Sequence, residues 1–120
     1  MAKVLVLDDV FDAVILIKRI LEGAGHEVVG FTEEEDALKH IRNNPVDLAI
    51  LDIKLKKMTG IEVLAEIRKV APSTPAIMLT GYPTVETTRE SLELGAREYC
   101  VKPIDNEVLE EKVSQVLKST

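Results

Sequence analysis

The chain has 120 residues, of which 46% are hydrophobic and 3% aromatic, with a mean hydropathy of +0.08 and a net charge of −6 at pH 7. That size suits one soluble domain that buries roughly two-thirds of its unfolded surface. A pI near 5.0 and so few aromatics exclude a direct nucleic-acid surface, which needs basic residues and stacking rings, and no apolar stretch approaches the roughly 20 residues of a membrane span.

The N-terminus, Met-Ala-Lys-Val-Leu-Val-Leu-Asp-Asp, is too short and too soon acidic for a signal peptide. A single cysteine, Cys100, rules out an internal disulfide framework and fits a reducing cytoplasm. Lys3–Leu7 reads as a first strand, followed by Asp8-Asp9. From about Val10 to Glu22, Val14, Ile17, Ile20 and Leu21 follow a helical period that Gly23 and Gly25 end. Ile15 and Leu16 add enough apolar surface to expect cover on more than one side. His26–Phe31 is a second strand. Thr32 with Glu35 has the spacing of a capping box for a helix through about Asn43, closed by Asn44-Pro45.

Val46–Asp52 is the stretch on which the rest depends. It is apolar apart from Asp47 and stops at a carboxylate, as does a strand buried on both faces of a parallel sheet. Thr59 with Glu62 predicts a second capping box, with Ile61, Leu64 and Ile67 as the buried stripe of its helix. Ala76–Leu79 is a fourth strand ending at Thr80. Gly81-Tyr82-Pro83 leads into a polar helix that Gly95 caps. Glu98–Val101 is a fifth strand ending at Lys102-Pro103. Asp105 can cap a last helix with Val108, Leu109, Val113, Val116 and Leu117 inside.

Strands alternating with helices call for a parallel sheet covered on both faces. The second and fifth strands carry polar or bulky residues and suit edges. With right-handed crossovers the simplest order is 2-1-3-4-5, a flavodoxin-like doubly wound five-stranded sheet. In that order Asp8, Asp9, Asp52, Thr80 and Lys102 end adjacent strands along one rim, where ligands of open α/β sheets bind. Three clustered carboxylates repel unless a cation joins them, and an all-oxygen set suits Mg²⁺. Lys102 and the Thr80 hydroxyl supply what a phosphoryl group needs. Taken singly, each has a plainer reading: Asp8 or Asp9 as a helix cap, Thr80 or Asp52 as a turn residue.

At these residues the chain resembles the receiver domain of two-component response regulators, over residues 1–120. The matching motifs are Asp8-Asp9, Asp52 with Gly60 eight residues on, Thr80, Tyr99 and Lys102-Pro103. The resemblance implies that Asp52 accepts a phosphoryl group from a sensor histidine kinase or phosphotransfer protein. It implies Mg²⁺ or Mn²⁺ held by Asp9, Asp52 and the Lys54 backbone carbonyl, with Asp8 acting through a metal-bound water. Lys102 and Thr80 would bind the phosphoryl oxygens, and Tyr99 would turn inward as Thr80 moves, altering the surface of helix four, strand five and helix five. Such a protein is a switch rather than a dedicated enzyme; it catalyses its own phosphorylation and dephosphorylation, and it acts on a downstream effector or output domain, with room for a phosphorylation-dependent dimer. The Lys102–Pro103 bond is expected to be cis. Lys54 and Tyr82 occupy the positions that flank the approach of hydrolytic water and would set the dephosphorylation rate.

Two departures stand out. Lys56 replaces the proline usual four residues after the acceptor, which predicts a looser segment from Lys54 to Met58, and Val10 replaces a polar residue after the acidic pair. Two other chemistries compete. A haloacid-dehalogenase-type hydrolase needs a second aspartate two residues after Asp8, where Val10 stands. A flavin or nucleotide module needs a Gly/Ser/Thr-rich loop after the first strand. His26, His40 and Cys100 read as structural. With no output domain following helix five, the sequence fits either a stand-alone regulator or an excised receiver.

Overall fold

A computed structural model describes residues 1–119. Its elements run β1 (Lys3–Leu7), α1 (Phe11–Gly23), β2 (Glu27–Phe31), α2 (Glu34–Asn43), β3 (Leu48–Asp52), α3 (Gly60–Val70), β4 (Ala76–Thr80), α4 (Val85–Glu93), β5 (Ala96–Val101) and α5 (Asn106–Lys118). All strand pairs are parallel, in the order β2-β1-β3-β4-β5, so the flavodoxin-like sheet expected from the apolar runs is the sheet observed.

The period of two along each central strand divides the core. Val4, Val6, Ile50, Ile77 and Leu79 face α1 and α5, packing on Ile17, Leu21, Leu109 and Val113. Leu5, Leu7, Leu51 and Met78 face the other way, onto Leu38 and Ile41 of α2 and Val63, Leu64 and Ile67 of α3. Every residue of β3 and β4 is buried. β2 and β5 have partly exposed patterns and form the edges, as their polar residues indicate.

Local chemistry explains most element boundaries. Thr59 Oγ1 accepts the Glu62 N–H at 3.1 Å while Glu62 Oε1 accepts the Thr59 N–H at 2.9 Å, the reciprocal box expected at the start of α3. Asp105 caps α5 through the Val108 N–H at 3.1 Å. Gly95 ends the α4 turn at φ 87°, a left-handed conformation that costs glycine little.

Four expectations need correction. α2 begins on Glu33, with no side-chain cap; Thr32 does not cap it, because the chain is turned to send Glu34 inward. Leu16 lies exposed on α1, so that helix is covered on one side only. In α3, Val63 is fully buried and Ile61 only partly, a rotation of the stripe set by contact with α2. In α5, Val108 is exposed while Leu109, Val113 and Val116 hold the inner face.

Candidate functional site

The carboxyl ends of β1, β3, β4 and β5 meet on one rim. Asp8 follows β1 directly, its N–H on the Phe31 carbonyl at 3.1 Å. Its side chain is 0% exposed and fully engaged. Oδ1 accepts the Val10 N–H at 3.0 Å, and Oδ2 accepts from Lys102 Nζ at 2.7 Å. Neither aspartate of the pair caps α1: Val10 is its N-cap residue, with no side-chain cap bond. That outcome removes the plainer reading of Asp8-Asp9.

Asp52 ends β3 at 4% exposure, with Lys102 Nζ 3.4 Å from its Oδ2. One carboxylate oxygen each from Asp8, Asp9 and Asp52 can be chosen so that all lie within 4.8 Å of one another. Burial, then the Asp8 charge, push the Asp52 carboxyl up to about 6 despite Lys102. Burial pulls Lys102 down, but its bond to Asp8 and the charges of Asp8 and Asp52 outweigh that and raise it. One cation against three carboxylates leaves the cluster short of positive charge. Oxygen donors alone, in surplus charge, fit a hard divalent cation such as Mg²⁺.

Thr80 ends β4. Its Oγ1 accepts the Tyr82 N–H at 3.0 Å, and its carbonyl accepts the Lys102 N–H at 2.8 Å. The Lys102–Pro103 bond is cis. Lys54 Nζ lies 5.6 Å from the centroid of the Tyr82 ring, within cation–π range. Asp9, Asp52, Lys54, Thr80, Tyr82 and Lys102 are among the residues lining one open cavity of about 620 Å³. Gly60 closes the loop beneath it: its N–H bonds the Ile53 carbonyl at 2.7 Å, and a Cβ there would overlap the Asp52 carbonyl oxygen.

Tyr99 stands apart from the cavity. It is partly buried on β5, with its hydroxyl 3.1 Å from Thr87 Oγ1. Thr87 and Thr84 in turn form the reciprocal cap of α4, so the Tyr99 ring is tied to the start of that helix. Sequence reasoning missed Thr87, although a threonine three residues after Thr84 has the spacing of a box. It also missed Glu34, one of four consecutive acids whose burial only the packed structure decides. His26 and His40 do not enter the site: His26 Nδ1 accepts the Ala2 N–H, and His40 packs on Phe31. Cys100 is buried core.

The family model of the response regulator receiver domain matches residues 4–114. The transcriptional regulatory protein ZraR of Klebsiella oxytoca is 35% identical over 98% of this chain and 26% of its own length. PhoP of Bacillus subtilis, an alkaline phosphatase synthesis regulator, is 34% identical over 97% and 48% respectively. The chain thus spans about a quarter to a half of these curated relatives. Among solved structures, a CheY-like receiver domain of Methanospirillum hungatei superposes with a TM-score of 0.95 at 35% identity, covering 99% of this chain and 95% of that one. The chemotaxis protein CheY4 of Vibrio cholerae gives 0.92 at 31% identity, over 97% and 98%. A family match over residues 4–114, the order β2-β1-β3-β4-β5 and an acid cluster facing one lysine agree: the chain belongs to the response regulator receiver domains.

Proposed function

We propose that Asp52 is the phosphoryl acceptor of a signalling switch, with residues 1–120 acting as one receiver unit. The observation that carries this reading is the juxtaposition of Asp52, Asp9 and Lys102 on the wall of one cavity with the buried Asp8 behind them. An Asp52 carboxylate oxygen attacks phosphorus in line, the bond from phosphorus to the donor's histidine nitrogen breaks, and an acyl phosphate forms on Asp52. Asp9, Asp52 and the Lys54 carbonyl would hold Mg²⁺ or Mn²⁺, with Asp8 one water removed; the cation supplies charge neutralisation on the transferring phosphoryl oxygens. Lys102, already within 3.4 Å of Asp52, binds a phosphoryl oxygen, and the Thr80 hydroxyl binds another by giving up the Tyr82 N–H.

The donor is a sensor histidine kinase or a phosphotransfer protein. The signal passes through Thr80 and Tyr99 to α4, β5 and α5, and from there to an effector or output domain, or to a second copy of the chain. The relatives that carry this domain within longer transcriptional regulators support that partner class. The cytoplasm, where such kinases present their histidines, is the matching compartment. Incubation with a small phosphodonor and Mg²⁺ adds one phosphoryl group to the wild type and none to Asp52→Asn, read by intact mass. Stoichiometric labelling of the Asn variant overturns the assignment, and full labelling in excess chelator overturns the metal requirement.

A further inference from the structure

The loop between β3 and α3 carries no proline, yet it is not left free. Glu34, in the first turn of α2, is 1% exposed. Its Oε2 accepts two backbone N–H groups from that loop, Lys57 at 2.6 Å and Met58 at 2.9 Å. Burial pushes this carboxyl up, but the backbone hydrogen bonds and the Lys57 charge outweigh it and hold the group below its ordinary value. Among the described residues, Oε1 of Glu34 is the one buried side-chain oxygen without a hydrogen-bond partner.

The other end of the same loop is fixed by Gly60, whose N–H bonds the Ile53 carbonyl and where a Cβ would run into the Asp52 carbonyl oxygen. Between these two anchors lie only Lys54, Leu55 and Lys56. We propose that Glu34 is a positioning residue of the acceptor loop: its buried carboxylate clamps Lys57 and Met58 and thereby holds the Lys54 carbonyl where it serves a divalent cation beside Asp52. The inference rests on the metal-assisted reading above. It also accounts for how Lys56 is tolerated where proline would otherwise restrict the backbone: a charge-assisted tie from a neighbouring helix replaces restriction of φ.

The test uses Mg²⁺ alone, titrated into the wild type, Glu34→Ala, Glu34→Gln and Glu34→Ala/Lys56→Pro, with amide hydrogen exchange measured in parallel without metal. Lys56 donates no backbone hydrogen bond among the described residues, so proline there sacrifices none. Glu34→Ala speeds exchange at the Lys57 and Met58 amides at least tenfold, leaves the Leu51 and Met78 amides of the central strands protected, and raises the Kd for Mg²⁺ about tenfold. Glu34→Gln, which keeps an acceptor and the side-chain volume, stays within about threefold of the wild-type Kd and carries the comparison if the alanine variant does not fold. Adding Lys56→Pro recovers most of the lost affinity, which a merely structural role for Glu34 would not produce. Wild-type affinity in a Glu34 variant whose Lys57 and Met58 amides exchange freely overturns the clamp and spares the metal-assisted reading. A wild type that takes up no Mg²⁺ overturns both.

Discussion

In the metal-free protein, Asp52→Asn is expected to stabilise the fold, and by an amount that grows with pH. Asp52 is 4% exposed and sits within an acid cluster whose one ion-pair partner among the described residues is Lys102. Its carboxyl is displaced from 3.8 to about 6, by burial first and by Asp8 second. The folded protein therefore holds this proton more tightly than the unfolded chain does. Between those two values the unfolded state binds fewer protons, so stability falls as pH rises. The favourable contribution of the protonated group is complete below about 3.8 and lost as pH passes through about 6. Carried through the linkage relation, and relative to low pH where the group is protonated in both states, the Asp52 carboxyl costs the fold about 3 kcal/mol at pH 8 and about 1 kcal/mol at pH 4.5.

An asparagine of nearly the same shape cannot ionise and escapes this cost. Urea unfolding in chelator at pH 4.5 and at pH 8 should show the advantage of Asp52→Asn widening by about 2 kcal/mol between them. Comparing the two pH values cancels the fixed difference between an amide and a neutral acid. Mg²⁺ should close the gap: a ligand at a hundred times its Kd stabilises the folded state by about 2.7 kcal/mol, and the variant lacks one of the proposed donors. An advantage that is flat from pH 4.5 to pH 8, or that shrinks, refutes the reasoning, since Asp52 would then not be strained by its neighbours.

Thr80→Ala should leave labelling of Asp52 largely intact but silence the phosphate-dependent NMR shifts on α4, β5 and α5; equal shifts in variant and wild type would rule out the route. Lys54→Asn with Tyr82→Glu should speed loss of the Asp52 phosphate about tenfold, a barrier change of roughly 1.4 kcal/mol. It removes a stacked pair that flanks the cavity and supplies groups able to orient water; an unchanged or slower decay after donor removal would show that these positions do not gate hydrolysis. Gly60→Ala should lower stability by about 1–3 kcal/mol in urea, because its Cβ overlaps the Asp52 carbonyl oxygen and backbone must shift, and an unaltered midpoint would mean the loop has slack there.

The sheet was legible because its central strands are buried on both faces, and only uninterrupted apolar runs meet that demand: Val4–Leu7, Leu48–Leu51 and Ala76–Leu79. The rim followed from strand order, since Asp8 and Lys102 stand 94 residues apart and touch only because β1 and β5 end on the same side. Tertiary choices were not legible. In Glu33–Asp36 any acid suits a helix start, and the loop after β3 selects Glu34 as the one turned inward. The Thr32–Glu35 spacing lost to that choice. Leu16 and Val108 are as apolar as their buried neighbours, and only the lack of a packing partner leaves them exposed. Tyr99 matched a motif, yet its hold on Thr87 depends on where α4 lies against β5.

The charge surplus that weakens the metal-free fold also orders the proposed reaction. Three carboxylates against one lysine present a net negative rim, and an incoming phosphoryl group meets repulsion until that charge is offset. Lys102 cannot offset it alone, being held by Asp8 at 2.7 Å and only approaching Asp52 at 3.4 Å. On the proposed reading, phosphate therefore arrives with, or after, a divalent cation. The side chains of the proposed relay beyond the rim, the Thr80, Thr87 and Tyr99 hydroxyls, are uncharged. In the proposed relay, Thr80 exchanges its bond from the Tyr82 N–H for a phosphoryl oxygen, and Tyr99 exchanges its bond to the Thr87 hydroxyl for an inward position. Neutral hydrogen bonds of this kind are worth about 1 kcal/mol each net. Two arrangements that differ by one or two of them lie close in free energy, and a bias of about 1.4 kcal/mol shifts their ratio tenfold. Strong electrostatics at Asp52 and weak hydrogen bonds beyond it are what a switch needs: the first makes phosphate decisive, and the second lets the surface respond.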